Sequence, residues 1–213
     1  MATLATYLDL KTAISSYFDY GDQSITDNIP LFIKITEDEL ATMVRLPSME
    51  QTIFTDVITD DLVRLPIPID YIELKRIYYP DTFETIDLID LEMMPREKYN
   101  YSDISSDARP ISMCRDGSFW YLNRAAINGT RIQITYFATP SQMTIDADQS
   151  VFLRDMGQVM LYRCVAEAHR FLENMEMADY FLNLAQTDLV TIQGQANSAE
   201  NSGSVIAQSS YPW

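Results

Sequence analysis

Apolar side chains recur along this chain at two periods, and the change of period divides it into three parts. Over residues 3–18, Leu4, Leu8, Ile14 and Phe18 supply one side of a helix, with Tyr7 and Tyr17 at its edge. Gly21-Asp22 breaks it. Thr26 is then placed to cap a second helix, with Pro30 in its first turn, where a missing N–H costs little. Ile29, Phe32, Ile33, Leu40, Met43 and Val44 repeat at helical spacing, Lys34, Glu37 and Asp38 are assigned outward, and the helix stops before Pro47.

The period then falls to two. Residues 49–59 have the β-branched content of a strand, and 62–65, 70–79 and 85–91 add extended runs around Pro66 and Pro68. Residues 95–101 read as a helical turn or loop. Asp116-Gly117 lies between extended runs 111–115 and 118–122, and Asn128-Gly129 precedes 130–137; both dipeptides favour tight hairpins. Ile132, Ile134 and Tyr136 alternate with Arg131, Gln133 and Thr135, giving one buried and one wet face. These features predict an antiparallel meander.

Helical spacing returns after Ser150, a candidate cap. Leu153, Met156, Met160, Leu161, Cys164, Ala168 and Phe171 share one face over 150–172, with Arg163, Glu167 and Arg170 opposite. A last helix over 175–192 turns Ala178, Phe181, Leu182, Ala185 and Leu189 inward, with Asn174 at the junction. Residues 193–213 hold no period. Gly, Ser, Asn and Gln dominate and Glu200 is the only charged side chain, yet Val205, Ile206, Tyr211, Pro212 and Trp213 are present. Such a segment cannot bury enough apolar surface to order itself, but its aromatic tip suits docking on a partner.

The expected fold class is therefore α+β: a four-helix bundle with an antiparallel β-rich insertion and an extended C-terminal arm. The expected divisions are 1–47 (first helix pair), 48–149 (insertion), 150–192 (second helix pair) and 193–213 (flexible docking arm).

Composition narrows the function. The 213 residues include 31 acids against 15 bases, a net charge of −16, which disfavours gripping nucleic acid. No apolar run reaches the roughly 18 residues of a membrane span, and no signal-peptide pattern opens the sequence, so a cytoplasmic site of assembly is expected. Cys114 and Cys164 fit small apolar fillers better than a metal knuckle or disulfide framework. His169, the only histidine, fits a packed ring better than a catalytic one. No phosphate-cradling glycine loop or nucleophile elbow is present, and no cofactor is expected. Glu37-Asp38-Glu39 and the Asp87, Asp90, Glu92 group lack calcium-loop spacing and suit solvated faces. Asn128-Gly-Thr130 fits a glycosylation pattern but doubles as the turn. Phe119-Trp120-Tyr121 suits either a contact patch or alternate core filling.

The one enzyme-like arrangement is Asp60 or Asp61 with Glu73-Leu74-Lys75, the acids and lysine of a metal-dependent phosphodiesterase. The surface charge and the absence of an α/β core oppose it.

In order, the chain resembles the head-to-tail adaptor (connector, or head-completion) proteins of short-tailed bacteriophages. Three stretches carry the resemblance: Leu65-Pro66-Ile67-Pro68-Ile69-Asp70-Tyr71-Ile72-Glu73-Leu74 entering a central strand, the first helix pair with Glu37-Asp38-Glu39-Leu40, and the last with Ala178-Asp179-Tyr180-Phe181. The resemblance implies a virion structural protein without catalytic residues. It implies a ring, commonly of twelve copies, beneath the portal protein, extending the DNA channel and offering a platform to tail nozzle or tail fibre proteins. The arm residues Val205, Ile206, Tyr211, Pro212 and Trp213 would meet the portal or a neighbouring copy. Glu37 and Asp38 are the candidate acids for the channel wall, where like charge would let DNA slide without binding. A different tail subunit, a nozzle or gatekeeper, is the nearest alternative within the virion. One assay separates the classes: the adaptor reading expects no Mg²⁺-dependent DNA cleavage, whereas cleavage abolished by Lys75→Ala marks the phosphodiesterase.

Overall fold

The computed structural model describes residues 4–18, 23–56, 62–94, 109–126 and 129–201, with backbone alone at 62, 63, 125, 126 and 196–201. Gly21-Asp22, Asp60, Asp61, Asn128, residues 95–101 and the arm residues from Val205 to Trp213 lie outside it. The chain is α+β and divides into two units, Met1–Ser48 with Pro140–Trp213, and Met49–Thr139.

Four helices make up the described secondary structure of the first unit. α1, Tyr7–Ser15, starts on a capping box: the Asp9 N–H donates to Thr6 Oγ1 at 3.2 Å and the Thr6 N–H to Asp9 Oδ2 at 3.0 Å. Tyr7, Leu10 and Ile14 form its buried stripe. Leu8, assigned inward from the sequence, is exposed, because the stripe runs through Tyr7 instead. α2, Gln23–Met43, begins earlier than expected. Thr26 and Pro30 therefore lie inside the helix rather than at its start. Ile25 extends the apolar stripe through Ile29, Phe32, Ile33, Thr36 and Leu40, and Pro30 points to solvent.

α3, Val151–Phe171, is capped as expected, Ser150 Oγ accepting from the Phe152 N–H at 3.0 Å. It bends at Met156, whose φ of −145° and ψ of 39° leave the helical region. α3 packs against α1, α2 and α4, so its buried residues, from Phe152 to Ala168, occur on more than one face. α4 spans Met175–Asn201. It passes the expected end at 192 and takes in the first nine residues of the segment assigned as a flexible arm. Gln, Ala and Glu propagate a helix already begun, and Gly194 costs only about 1 kcal/mol.

The second unit holds seven strands: β1 (Glu50–Asp56), β2 (Leu62–Pro66), β3 (Tyr71–Tyr78), β4 (Asp87–Leu88), β5 (Ser112–Asp116), β6 (Phe119–Ala126) and β7 (Arg131–Ala138). They form two sheets, ordered β1-β7-β3 and β2-β6-β5-β4. The expected single meander is thus corrected. β6 and β7 are consecutive but lie in different sheets, so Asn128-Gly129 is no hairpin turn, although Gly129 has φ +84°. The other turn does close a hairpin: Asp116 pairs with Phe119 around Gly117, which has φ +59°. The β4–β5 pairing is parallel and two residues long.

Leu65, Ile77, Met113, Trp120, Leu122, Ile132, Ile134 and Tyr136, drawn from both sheets, close one core. Trp120 fills it while Phe119 and Tyr121 sit half-buried on the other face, so the aromatic triplet divides between core and surface. The edges of the first sheet are charged: Arg131 of β7 makes two hydrogen bonds to Asp56 of β1 (2.5 and 2.9 Å), and Lys75 of β3 reaches Glu50 of β1 at 2.5 Å. Pro66 lies on edge strand β2, where a missing N–H is tolerated.

Ile134→Ala should cost about 2–5 kcal/mol by the cavity it leaves, whereas Phe54→Ala on exposed β1 should stay within about 0.5 kcal/mol of the parent. Urea unfolding of the two variants measures the contrast.

Candidate interaction surfaces

The turn from α3 to α4 exposes apolar residues. Glu173 takes φ +59°, the left-handed position that closes a Schellman motif: Asn174 N–H donates to His169 O at 2.9 Å and Glu173 N–H to Arg170 O at 3.0 Å. Around it Phe171, Leu172, Met175 and Tyr180 remain exposed. Behind them His169 stacks on Phe181 (5.6 Å, 10°) and meets Phe18 at 5.0 Å. Burial lowers its pKa, as befits a packed ring.

A shallow groove runs between α2, α3 and α4, lined by Glu39 and Met43, by Arg163 and Arg170, and by Leu182 and Asn183. Arg163, assigned to a polar outer face by the sequence, is only 8% exposed. Its Nη1 donates to Glu39 Oε2 at 2.5 Å, while its buried Nε finds no acceptor among the described residues. Arg170 pairs with Glu167 at 2.5 Å, as their spacing anticipates. The signal for Arg163 was its position within a helix that is apolar nearly all round, where a cation needs a partner from a neighbouring element.

Glu37 corrects a sequence assignment. It is 4% exposed, not outward, because it falls four residues after Ile33 and three before Leu40 on the buried stripe of α2. Its Oε2 accepts from the Met143 N–H at 3.3 Å. Burial pushes its carboxyl up to about 7, offset in part by that N–H and the Ser150 hydroxyl and reinforced by Asp38 and Asp148. Asp38, next to it, is exposed and accepts from Gln142 Nε2 at 2.7 Å. The two acids proposed for one wall therefore differ in environment.

In the second unit, the loop after β3 presents Phe83, 77% exposed and with φ +60°, a strained value for an aromatic residue. Arg109 anchors that loop with two hydrogen bonds to Asp81 (2.9 and 2.5 Å) and lies 5.0 Å over the Tyr79 ring. Nearby in sequence, Leu88, Leu91 and Met93 are exposed among Asp87, Asp90 and Glu92.

Only part of the phosphodiesterase arrangement lies among the described residues. Lys75 is engaged by Glu50 and lies 5.6 Å over the Phe137 ring, and Asp60 and Asp61 are outside the described residues. Among the described residues no three His, Cys, Asp or Glu side chains gather to hold a metal. Cys114 and Cys164 are buried and not joined in a disulfide, as expected of fillers, with Cys164 Sγ donating to Thr36 Oγ1 at 3.4 Å. Burial raises the Cys164 pKa to about 12. No helix among the described residues is long and apolar enough to cross a membrane.

The SU10 adaptor protein family model matches residues 5–208, nearly the whole chain. The chain belongs to the SU10 adaptor family. No curated protein matches it. An SU10 adaptor is a phage head-tail adaptor, a structural protein, in agreement with the resemblance drawn from the order of its motifs.

Glu37 also sets a pH dependence. Its folded pKa lies above its ordinary 4.5, so stability is lost as pH rises from there through about 7. Glu37→Gln should match the parent near pH 4 and exceed it above pH 7, by up to about 3 kcal/mol. Chemical denaturation at both pH values checks this; a pH-independent difference contradicts it.

Proposed function

We propose that this adaptor forms a ring, commonly of twelve copies, beneath the portal of a short-tailed phage. There it extends the DNA channel and offers a platform to tail nozzle or tail fibre proteins. The observation that carries the reading is the family match over residues 5–208. In this reading the protein resides in the virion at the head-tail interface, and its four helices act as one bundle.

The charge supports the channel role. With 31 acids against 15 bases, the chain repels phosphate, so DNA passes without being held. Asp38 is the remaining candidate of the original pair for the channel wall, since Glu37 is enclosed within its own copy. In this reading Val205, Ile206, Tyr211, Pro212 and Trp213 meet the portal or a neighbouring copy.

The protein mixed with the portal protein of the same phage should co-sediment as a defined complex. A chain ending at Asn201 should keep its thermal midpoint and lose that complex. Retained portal binding by the shortened chain would remove the arm from the reading; a lost midpoint would make it part of the core.

A further inference from the structure

Two surfaces described above have matching chemistry. One is the groove between α2, α3 and α4. Each of its guanidiniums carries five N–H donors, and each is shown with one bond to its own glutamate. The groove thus has surplus donors rather than surplus charge. The reachable donors are those of Arg170, whose side chain is 42% exposed, whereas Arg163 is enclosed and its Nε has no acceptor among the described residues. Met43, 46% exposed, and Leu182 give the groove an apolar lining.

The other surface is the ridge formed by β4 and the 3-10 turn Leu91–Met93. It alternates acids with apolar side chains: Asp87, Leu88, Asp90, Leu91, Glu92, Met93. Leu88, Leu91 and Met93 are 51%, 52% and 46% exposed. None of the three acids forms an ion pair among the described residues. A ridge of carboxylates and aliphatic side chains supplies acceptors for the arginines and apolar groups for Met43 and Leu182.

We infer that the groove of one copy receives the Asp87–Met93 ridge of the next. The two surfaces are different, so the contact is head-to-tail, the type that generates rings when its rotation closes. The occupant is a second copy because this chain itself carries both halves. The inference rests on the ring proposed above and names the surfaces that build it.

The test uses full-length protein carrying Met43→Cys and Leu91→Cys, both at exposed positions, with the native cysteines buried. It is oxidised with copper-phenanthroline, alone at high concentration and bound to portal protein. Covalent multimers of three or more copies are expected. Dimers alone, cross-links confined to single chains, or portal-bound protein without cross-links would each overturn the contact while leaving the adaptor reading intact. Failure to bind portal at all, with multimers still forming, would count against the adaptor reading alone. A charge exchange provides a second measurement. Arg170→Asp and Asp90→Arg should each reduce the multimers severalfold, and the double variant should restore them. Single variants without effect, or a double variant that stays defective, would overturn the proposal.

Discussion

The helical unit depends on the enclosure of α3. Between Val159 and Ala168 only Tyr162 and Glu167 escape burial, and α1, α2 and α4 each pack against the helix. Burial on several sides concentrates apolar area, at about 25 cal/mol per Å² removed from water. It also draws enclosed polar groups on the helix toward partners inside the unit. Cys164 meets Thr36, and Arg163 meets Glu39. Both partners lie on α2, so the register of α2 against α3 is specified by polar contacts within an apolar interface. Removing either partner of such a contact strands the other, which makes the arrangement more sensitive than its few bonds suggest.

The same enclosure explains where the acidity of the chain goes. Most of its pairs, such as Arg131 with Asp56 and Arg154 with Asp155, are exposed and contribute little to stability. Glu37 is the exception, an acid retained on a buried stripe. It ties α2 to the segment entering α3 through Met143, at the expense of holding a carboxyl near neutrality. The surface keeps the net charge and the interior keeps the register.

Much of this was legible in the residues, because periodicity survives wherever one face is buried. Ile132, Ile134 and Tyr136 mark the inner face of β7, and Ser150 caps α3 as its type requires. What escaped was non-local. Gly117 and Gly129 both adopt positive φ, but only the first joins paired strands; nothing in a dipeptide says whether the next strand stays in the same sheet. Glu37 was set outward on polarity although its spacing from Ile33 and Leu40 placed it inward. Arg163 was assigned to one polar face because its partner lies 124 positions away on another helix. The extension of α4 to Asn201 has no apolar period in the sequence to announce it, only residues that propagate a helix already begun.

The charged borders of the first sheet limit how this protein can associate. An open strand edge is a template for adding another strand, and repeated addition leads toward fibrils. Here β1 and β3 carry Glu50, Asp56 and Lys75, β3 is interrupted by two register shifts, and β2 of the second sheet carries Pro66. Each of these spoils the continuous backbone ladder that polymerisation would need. Any association of copies must then run through side chains rather than through a shared backbone ladder.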